Sequence, residues 1–230
     1  MVIIGAKRSS LTRWLMRQKE FKVKPNVLFN LGLSNCDCRG YNKVINKPEA
    51  VRANADKLVM LRKLKNANVC RPLVISKASD ALMHIEDYNG IVAKPGNTFI
   101  KSERMFYEYM LHNTPDYFTE FIPHDKEFRV IIYNDRLVKL YEKIRKPDYT
   151  GDLWKIENCE FKERRWEDFP GLVTVAKSAV KAVGLDLCGV DIIRAMDGKY
   201  VVLETNSAPG MHENTLRKLV RMDSDFSMKD

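Results

Sequence analysis

The sequence predicts an α+β protein: two α+β lobes around a cleft, preceded by a short α/β N-terminal region. Three observations predict it. Helical and strand-like patterns alternate along the chain, so both element types must build the core. Two stretches read as antiparallel hairpins, turned at Asn134-Asp135 and at Asp197-Gly198. Hairpins of this kind argue against a doubly wound parallel sheet. The polar residues that interrupt apolar runs sit on those same hairpins.

The elements follow in order. "VIIG" at 2–5 and "NVLFNLG" at 26–32 read as short strands on either side of a helix at about 10–20. "GLSNCDCRGYNKVINKP", 32–48, is turn-rich and reads as loop. Pro48 opens a helix over 49–67, with Leu58, Met60, Leu61 and Leu64 at helical spacing. "RPLVIS" is a strand, and "KASDALMHIED" a helix capped by Ser79 or Asp80. "GIVAKP" (strand), "SERMFYEYMLH" (helix) and "DYFTEFIP" (strand) come next. The hairpin "EFRVIIYNDRLVKLYEKIR" is followed by an irregular stretch, 146–165. "PGLVTVAKSAVKAVG" is a helix ended by Gly184. The second hairpin leads to a closing helix, "ENTLRKLVRM". The expected divisions are 1–50, a short N-terminal region; 51–119, a small lobe; 120–222, a large lobe; and 223–230, a flexible tail.

Composition narrows the class. Of 230 residues, 45% are hydrophobic and 30% charged, which is globular and not disordered. No apolar run approaches the ~20 residues of a membrane span, and the N-terminus lacks a signal-peptide pattern. A cytoplasmic protein is expected. The five cysteines, at 36, 38, 70, 159 and 188, are odd in number and form no framework, so reduced thiols are expected. Cys36 and Cys38 form a C-x-C without a second Cys or His cluster, a weak metal signal. The net charge of +9 suits an anionic small molecule as well as nucleic acid. No zinc-finger, RRM or basic-zipper pattern accompanies it, so nucleic acid is not the expected partner.

The most informative stretch is "YVVLETNSAPGM", 200–211. Residues i and i+2 of a strand share a face, so Glu204 and Asn206 point together and Thr205 points away. If Asp197-Gly198 is a two-residue turn, Met196 pairs with Lys199, and Asp191 falls opposite Glu204. Opposite residues have Cβ atoms ~4.5–5.5 Å apart, and like charges there cost stability. A divalent cation with oxygen ligands would offset that cost. A lysine or arginine bridge, such as Arg194, would do so as well.

Three further features have the makings of a nucleotide site. Lys94 leaves an apolar strand at Pro95-Gly96, where a lysine can hold phosphate as a point charge. "TEFIPHDKEFR" sets Glu120 and Glu127 around a short apolar strand. Its backbone can meet a base edge and its carboxylates can accept from ribose hydroxyls. Lys143 lies on a hairpin strand, where a cation can neutralise phosphoryl charge. Singly, each has a plainer reading: a solvated strand-end lysine, a core strand with a polar turn, an exposed hairpin lysine.

In order, the chain has "DK" at 56–57, Lys94, "TEFIP", Glu127-Phe128-Arg129, Lys143, "GVDII" and "VVLETNSAPGM". This set resembles the ATP-grasp superfamily of ATP-dependent carboxylate ligases. It is similar to the D-alanine–D-alanine ligases and, more closely, to the ribosomal-protein glutamate ligases and the small ATP-grasp proteins of phage genomes. The resemblance implies a nucleotide site between the lobes. Lys57 and Lys94 would contact ATP phosphates. The backbone at Phe121 and Ile122 would read adenine, with Glu120 near its amino group and Glu127 on the ribose. Asp191, Glu204 and Asn206 would hold two Mg²⁺ ions, with Mn²⁺ an alternative. Arg129 and Lys143 would face the γ-phosphate and an acyl phosphate. Ser207 and Gly210 would bound the acceptor site. The implied reaction joins a carboxylate to an amine, with an amino acid or a peptide terminus as the candidate acceptor, and releases ADP. Where such ligases carry a glycine-rich lid, "KPGNTFIK" has one glycine. A nucleotide-binding module without turnover is one alternative. A metal-dependent nuclease is another, though "ETN" stands where an E-x-K often follows the second acid.

Overall fold

A computed structural model describes residues 2–5, 21–23, 27–151, 153, 156–211, 213–222 and 226–228. The helix expected at 10–20 lies outside them. Among the described residues, no helix is long and apolar enough to cross a membrane.

Three strands, β1 (Val2–Gly5), β3 (Val27–Leu31) and β4 (Lys43–Ile45), form a parallel sheet in the order β1-β3-β4. β4 arises inside the stretch read as loop. Its "KVI" is too short to show a period, and pairing with β3 fixes it. β2 (Phe21–Val23) pairs with β14 (Phe226–Met228), so residues 226–228, expected in a flexible tail, form a strand.

The expected helix over 49–67 is two helices, α1 (Pro48–Ala55) and α2 (Lys57–Asn66). Asp56 divides them. Its backbone is extended (φ −78°, ψ 106°), and its carboxylate accepts from the N–H groups of Leu58 and Val59. An N-cap aspartate thus restarts the helix after a bend. β5 (Val74–Ile75) and α3 (Ala78–Met83) follow. α3 is not capped by Ser79 or Asp80. It starts at Ala78, with Lys77 in the cap position, so both fall within its first turn. β6 (Ile91–Lys94), β7 (Thr98–Ile100), α4 (Glu103–Met110) and β8 (Tyr117–Glu120) complete a four-stranded sheet, β5-β8-β6-β7. Ile75, Ile91, Ala93, Ile100, Phe106 and Phe118 form its core.

β9 (His124–Tyr133), β10 (Arg136–Arg145), β11 (Cys159–Glu163), β12 (Leu187–Ala195) and β13 (Tyr200–Asn206) build an antiparallel sheet ordered β11-β10-β9-β12-β13. β11 lies in the stretch read as irregular. α5 (Leu172–Val183), ended by Gly184, covers one face together with α1 and α2. The buried side chains there include Met60, Leu64, Phe128, Val130, Ala176 and Val190. β3, β4 and α6 (Glu213–Met222) cover part of the other face, through Phe29, Leu31, Ile45 and Leu219 against Ile131 and Tyr133. The uncovered part of that face looks across to the four-stranded sheet.

The β9–β10 hairpin turns at Asn134-Asp135, both at positive φ (45° and 58°), as expected for a two-residue turn. The β12–β13 hairpin differs. The Ala195 N–H donates to the Lys199 carbonyl at 2.8 Å, so the loop has three residues, with Gly198 at φ +86°. That shifts the pairing by one residue. A bulge at Leu203, between the Asp191–Glu204 and Ile192–Val202 pairs, shifts it back. Asp191 therefore stands opposite Glu204, as the sequence predicts, although the turn does not follow the predicted form.

Candidate active site

A cleft of about 1040 Å³ lies between the two main sheets. Lys57, Lys94, Glu120, Phe121, Ile122, Glu127, Arg129, Lys143, Asp191, Glu204 and Asn206 all line it. Ser207 and Gly210 do not. Ser207 is buried behind the strand end, and Gly210 is exposed beyond it.

Register sets the cleft's floor. Arg129 of β9 stands opposite Asp191 of β12, which stands opposite Glu204 of β13. Three neighbouring strands thus carry a row of one cation and two carboxylates. The Arg129 guanidinium holds Asp191 with two bonds, Nε–Oδ1 and Nη2–Oδ2, both 2.8 Å. Such a fork is geometrically specific. Lys57 Nζ reaches Glu204 Oε1 at 2.7 Å. These two cations offset the repulsion between the acids. Arg194, the sequence candidate for that task, instead binds Asp125. The bond to Asp191 raises the Arg129 pKa, against the pull of burial. The guanidinium also lies 5.2 Å from the Phe161 ring centre.

A second row lies beside it. Lys143 stands opposite Glu127, and their side chains meet at 2.8 Å, nearly enclosed. Burial pushes the Glu127 carboxyl up, and Lys143 pulls it back. Above them, burial lowers the Lys94 ammonium, an effect that Glu204 opposes and Lys57 adds to. Lys94 Nζ bonds the Asn97 amide oxygen in the short Pro95-Gly96-Asn97 turn, which lines the cleft.

The segment 120–122, which the sequence reading assigns to a base, is partly engaged within the protein. Glu120 accepts from the Leu73 N–H at 2.8 Å. The Phe121 N–H donates to the Gly90 carbonyl at 3.0 Å, and its ring packs on Phe99 with centroids 4.3 Å apart. The Ile122 carbonyl lies 2.8 Å from His124 Nδ1.

His124 lines the cleft and was not singled out by the sequence, where it is one histidine in a polar turn. Burial pushes its pKa below the ordinary 6.5; Lys143 and Arg145 add to the shift, and the Ile122 carbonyl and Asp125 oppose it. The unfolded chain therefore binds this proton more readily than the folded one. Stability is full above about 6.5 and falls as pH drops below it. Glu127 works the other way, because its raised folded value favours folding as pH falls through its range. Melting temperatures between about pH 7 and about pH 5.5 should fall less for His124→Gln than for the wild type. Parallel slopes would contradict this.

Beyond β13 the chain turns sharply. Asn206 Oδ1 accepts from the Ala208 N–H at 2.9 Å. A Cβ on Gly189 would stand 2.8 Å from Pro209 Cβ, so the 207–210 segment lies directly on β12.

The donor set suits a hard cation. Asp191, Glu204 and Asn206 offer two carboxylates and a carboxamide, all oxygen donors on one face. Among the described residues, no group of three or more His, Cys, Asp or Glu is set to hold a metal. Cys36 and Cys38 are free thiols, 3.6 Å apart at sulfur, and burial pushes Cys36 up to about 11.

The model of the RimK-like ATP-grasp domain matches residues 114–228, which is 115 of 230. The chain belongs to this ATP-grasp family. It is similar to the tetrahydromethanopterin:alpha-L-glutamate ligase of Methanocaldococcus jannaschii, at 26% identity over 74% of this chain and 63% of that protein. It is also similar to the probable alpha-L-glutamate ligase 2 of Hahella chejuensis, at 29% identity over 45% of this chain and 34% of that one. The chain thus spans less than two thirds of either relative. Among solved structures, the ATP-grasp ligase PsnB complexed with minimal precursor, Mg and ADP shares the fold. Its TM-score is 0.64 at 16% identity, covering 94% of this chain and 91% of that one. The α+β architecture of this ATP-grasp chain agrees with that neighbour.

Proposed function

We propose that this ATP-grasp chain is an ATP- and Mg²⁺-dependent ligase that joins a carboxylate to an amine and releases ADP and phosphate. One observation carries the reading: two opposed carboxylates and a carboxamide share the floor of a cleft with Lys57, Lys94, Arg129 and Lys143. The relatives named glutamate ligases, and PsnB solved with Mg and ADP, support it. The acceptor amine belongs to an amino acid or a peptide terminus.

The substrate carboxylate attacks the γ-phosphorus of ATP, the bond to the β-bridging oxygen breaks, and ADP leaves with an acyl phosphate formed. The amine then adds to the acyl carbon. Phosphate departs, and the amine's proton passes to solvent or to a nearby base. Asp191, Glu204 and Asn206 would hold Mg²⁺, which would supply neutralisation of phosphate charge. Lys57 and Lys94 hold phosphate oxygens. Arg129 and Lys143 stabilise the charge spread over the transferring group, as fixed cations need no reorganisation when the barrier is crossed. Glu127 accepts from the ribose, and the segment 120–122 seats the base between the sheets.

Calorimetric titration with ATP and Mg²⁺ tests the site. Asp191→Ala and Glu204→Ala should each lose more than the roughly 10–100-fold that even outer-shell metal partners are worth. Wild-type heat no larger than that of the variants would overturn the reading. The short Pro95-Gly96-Asn97 turn favours a second one, a module that binds ATP without turning it over. ATP binding with no ADP release across a broad panel of amino acids and peptides would select it.

A further inference from the structure

The strand that carries Glu204 and Asn206 is held from behind by two asparagines outside the segment matched by the family model. Among the described residues β13 is the edge of its sheet, so its outward carbonyls meet no further strand there. Asn54, buried on α1, takes that place. Its Nδ2 donates to the Thr205 carbonyl at 3.1 Å, and its Oδ1 accepts from the Thr205 hydroxyl. Asn46, fully buried after β4, donates from Nδ2 to the Ser207 carbonyl at 3.0 Å and to the Leu187 carbonyl at 2.8 Å. Its Oδ1 accepts from the N–H groups of Asp186 and Leu187, both at 2.9 Å. One side chain thus ties the start of β12 to the end of β13.

We infer that Asn46 and Asn54 are positioning residues for the divalent-cation face. The inference rests on the proposed placing of that cation at Asp191, Glu204 and Asn206. Thr205 lies between two of those ligands, and Ser207 follows the second. Fixing the peptides at 205 and 207 fixes the directions of 204 and 206. Mg²⁺ demands near-ideal octahedral geometry at ~2.0–2.1 Å, so a small rotation of β13 costs affinity. A primary amide suits the task because it donates and accepts at once, as Asn54 does toward Thr205. Neither asparagine touches the cleft directly, since neither lines it.

The test is Mn²⁺ binding to the full chain with ADP stoichiometric to protein, read as the loss of free-ion EPR signal beyond that of a protein-free Mn²⁺–ADP blank. Asn54→Ala should weaken Mn²⁺ binding by about 10–100-fold, the usual cost of losing an outer-shell partner. Asn46→Gly keeps the left-handed backbone (φ 59°) accessible and removes only the side chain, and it should do the same. Asn30→Ala is the control. Asn30 is equally buried, but among the described residues its amide bonds Leu33 and nothing on β12 or β13, so this variant should lose stability and keep wild-type Mn²⁺ affinity. If Asn54→Ala does not fold, Thr205→Val removes the hydroxyl bond alone and should give a smaller loss in the same direction. Folded variants with Mn²⁺ affinity within twofold of wild type, or a loss in Asn30→Ala as large as theirs, would overturn the inference. Wild-type protein that binds no Mn²⁺ would overturn the proposed function instead.

Discussion

If the proposed reaction holds, Arg129→Met should lower ligase turnover by on the order of 10³-fold while nucleotide-free Mn²⁺ binding becomes tighter. The two effects run in opposite directions because Arg129 has two roles. On the proposed reaction its guanidinium is a fixed cation beside the transferring phosphoryl group, and loss of such a group is worth about 10²–10⁵ in rate. In the structure it holds both oxygens of Asp191 at 2.8 Å. A cation entering the site must open that fork. Methionine has a similar reach and no charge, so Asp191 is freed at little change in volume. Turnover is read as kcat and KM for ATP separately, with kcat carrying most of the fall. Metal affinity is read without nucleotide. Turnover within tenfold of wild type would remove Arg129 from the reaction, and unchanged metal affinity would show that the fork does not compete with a cation.

Phe128→Ala is the largest expected loss of stability, about 3–5 kcal/mol. Phe128 is 1% exposed at the centre of the central strand β9. Its ring meets Phe169 edge-on with centroids 4.7 Å apart, and Tyr200 lies 6.2 Å away. Those contacts join β9 to the segment before α5 and to β13, so the cavity left behind would be walled by separate elements with little freedom to close. The loss is a large share of the roughly 5–15 kcal/mol that holds a typical domain. For a chain of this size it corresponds to about 6–20 °C in melting temperature, read by circular dichroism. Glu127 and Arg129 flank Phe128 and face the cleft, so ATP binding should weaken in parallel. A fall of under about 1 kcal/mol would mean that the site collapses far more readily than Phe→Ala sites do.

Much of the fold was legible because it rests on local patterns. Alternation and the Asn134-Asp135 turn located one hairpin, and the apolar spacing of α5 with Gly184 behind it located a helix. The facing of Asp191 and Glu204 was legible for a less secure reason. The turn is one residue longer than predicted, and the bulge at Leu203 restores the register. Bulges have no sequence signal as strong as a turn's, so neither departure could be read alone. The break at Asp56 was readable in principle, since an aspartate ahead of "KLVML" is a restart signal. β11 was not, because "CEFKE" is a charged edge strand defined by its neighbour β10. Asn46 and Asn54 lie more than 130 residues from the strand they hold, and a lone asparagine in a loop or on a helix announces no such partner. Arg129 and Lys57 were named as site cations, but their pairing with the carboxylates was not legible: Arg194 was the nearest in sequence, and register and a helix end delivered the other two.

The close approach of Pro209 to Gly189 has a consequence for mobility. With no room for even a methyl group between ring and strand, the 207–210 segment cannot move closer to β12 unless β12 moves with it. The end of β13 that carries Asn206 is therefore braced from behind, whereas the Pro95-Gly96-Asn97 turn, which lines the cleft, stands exposed.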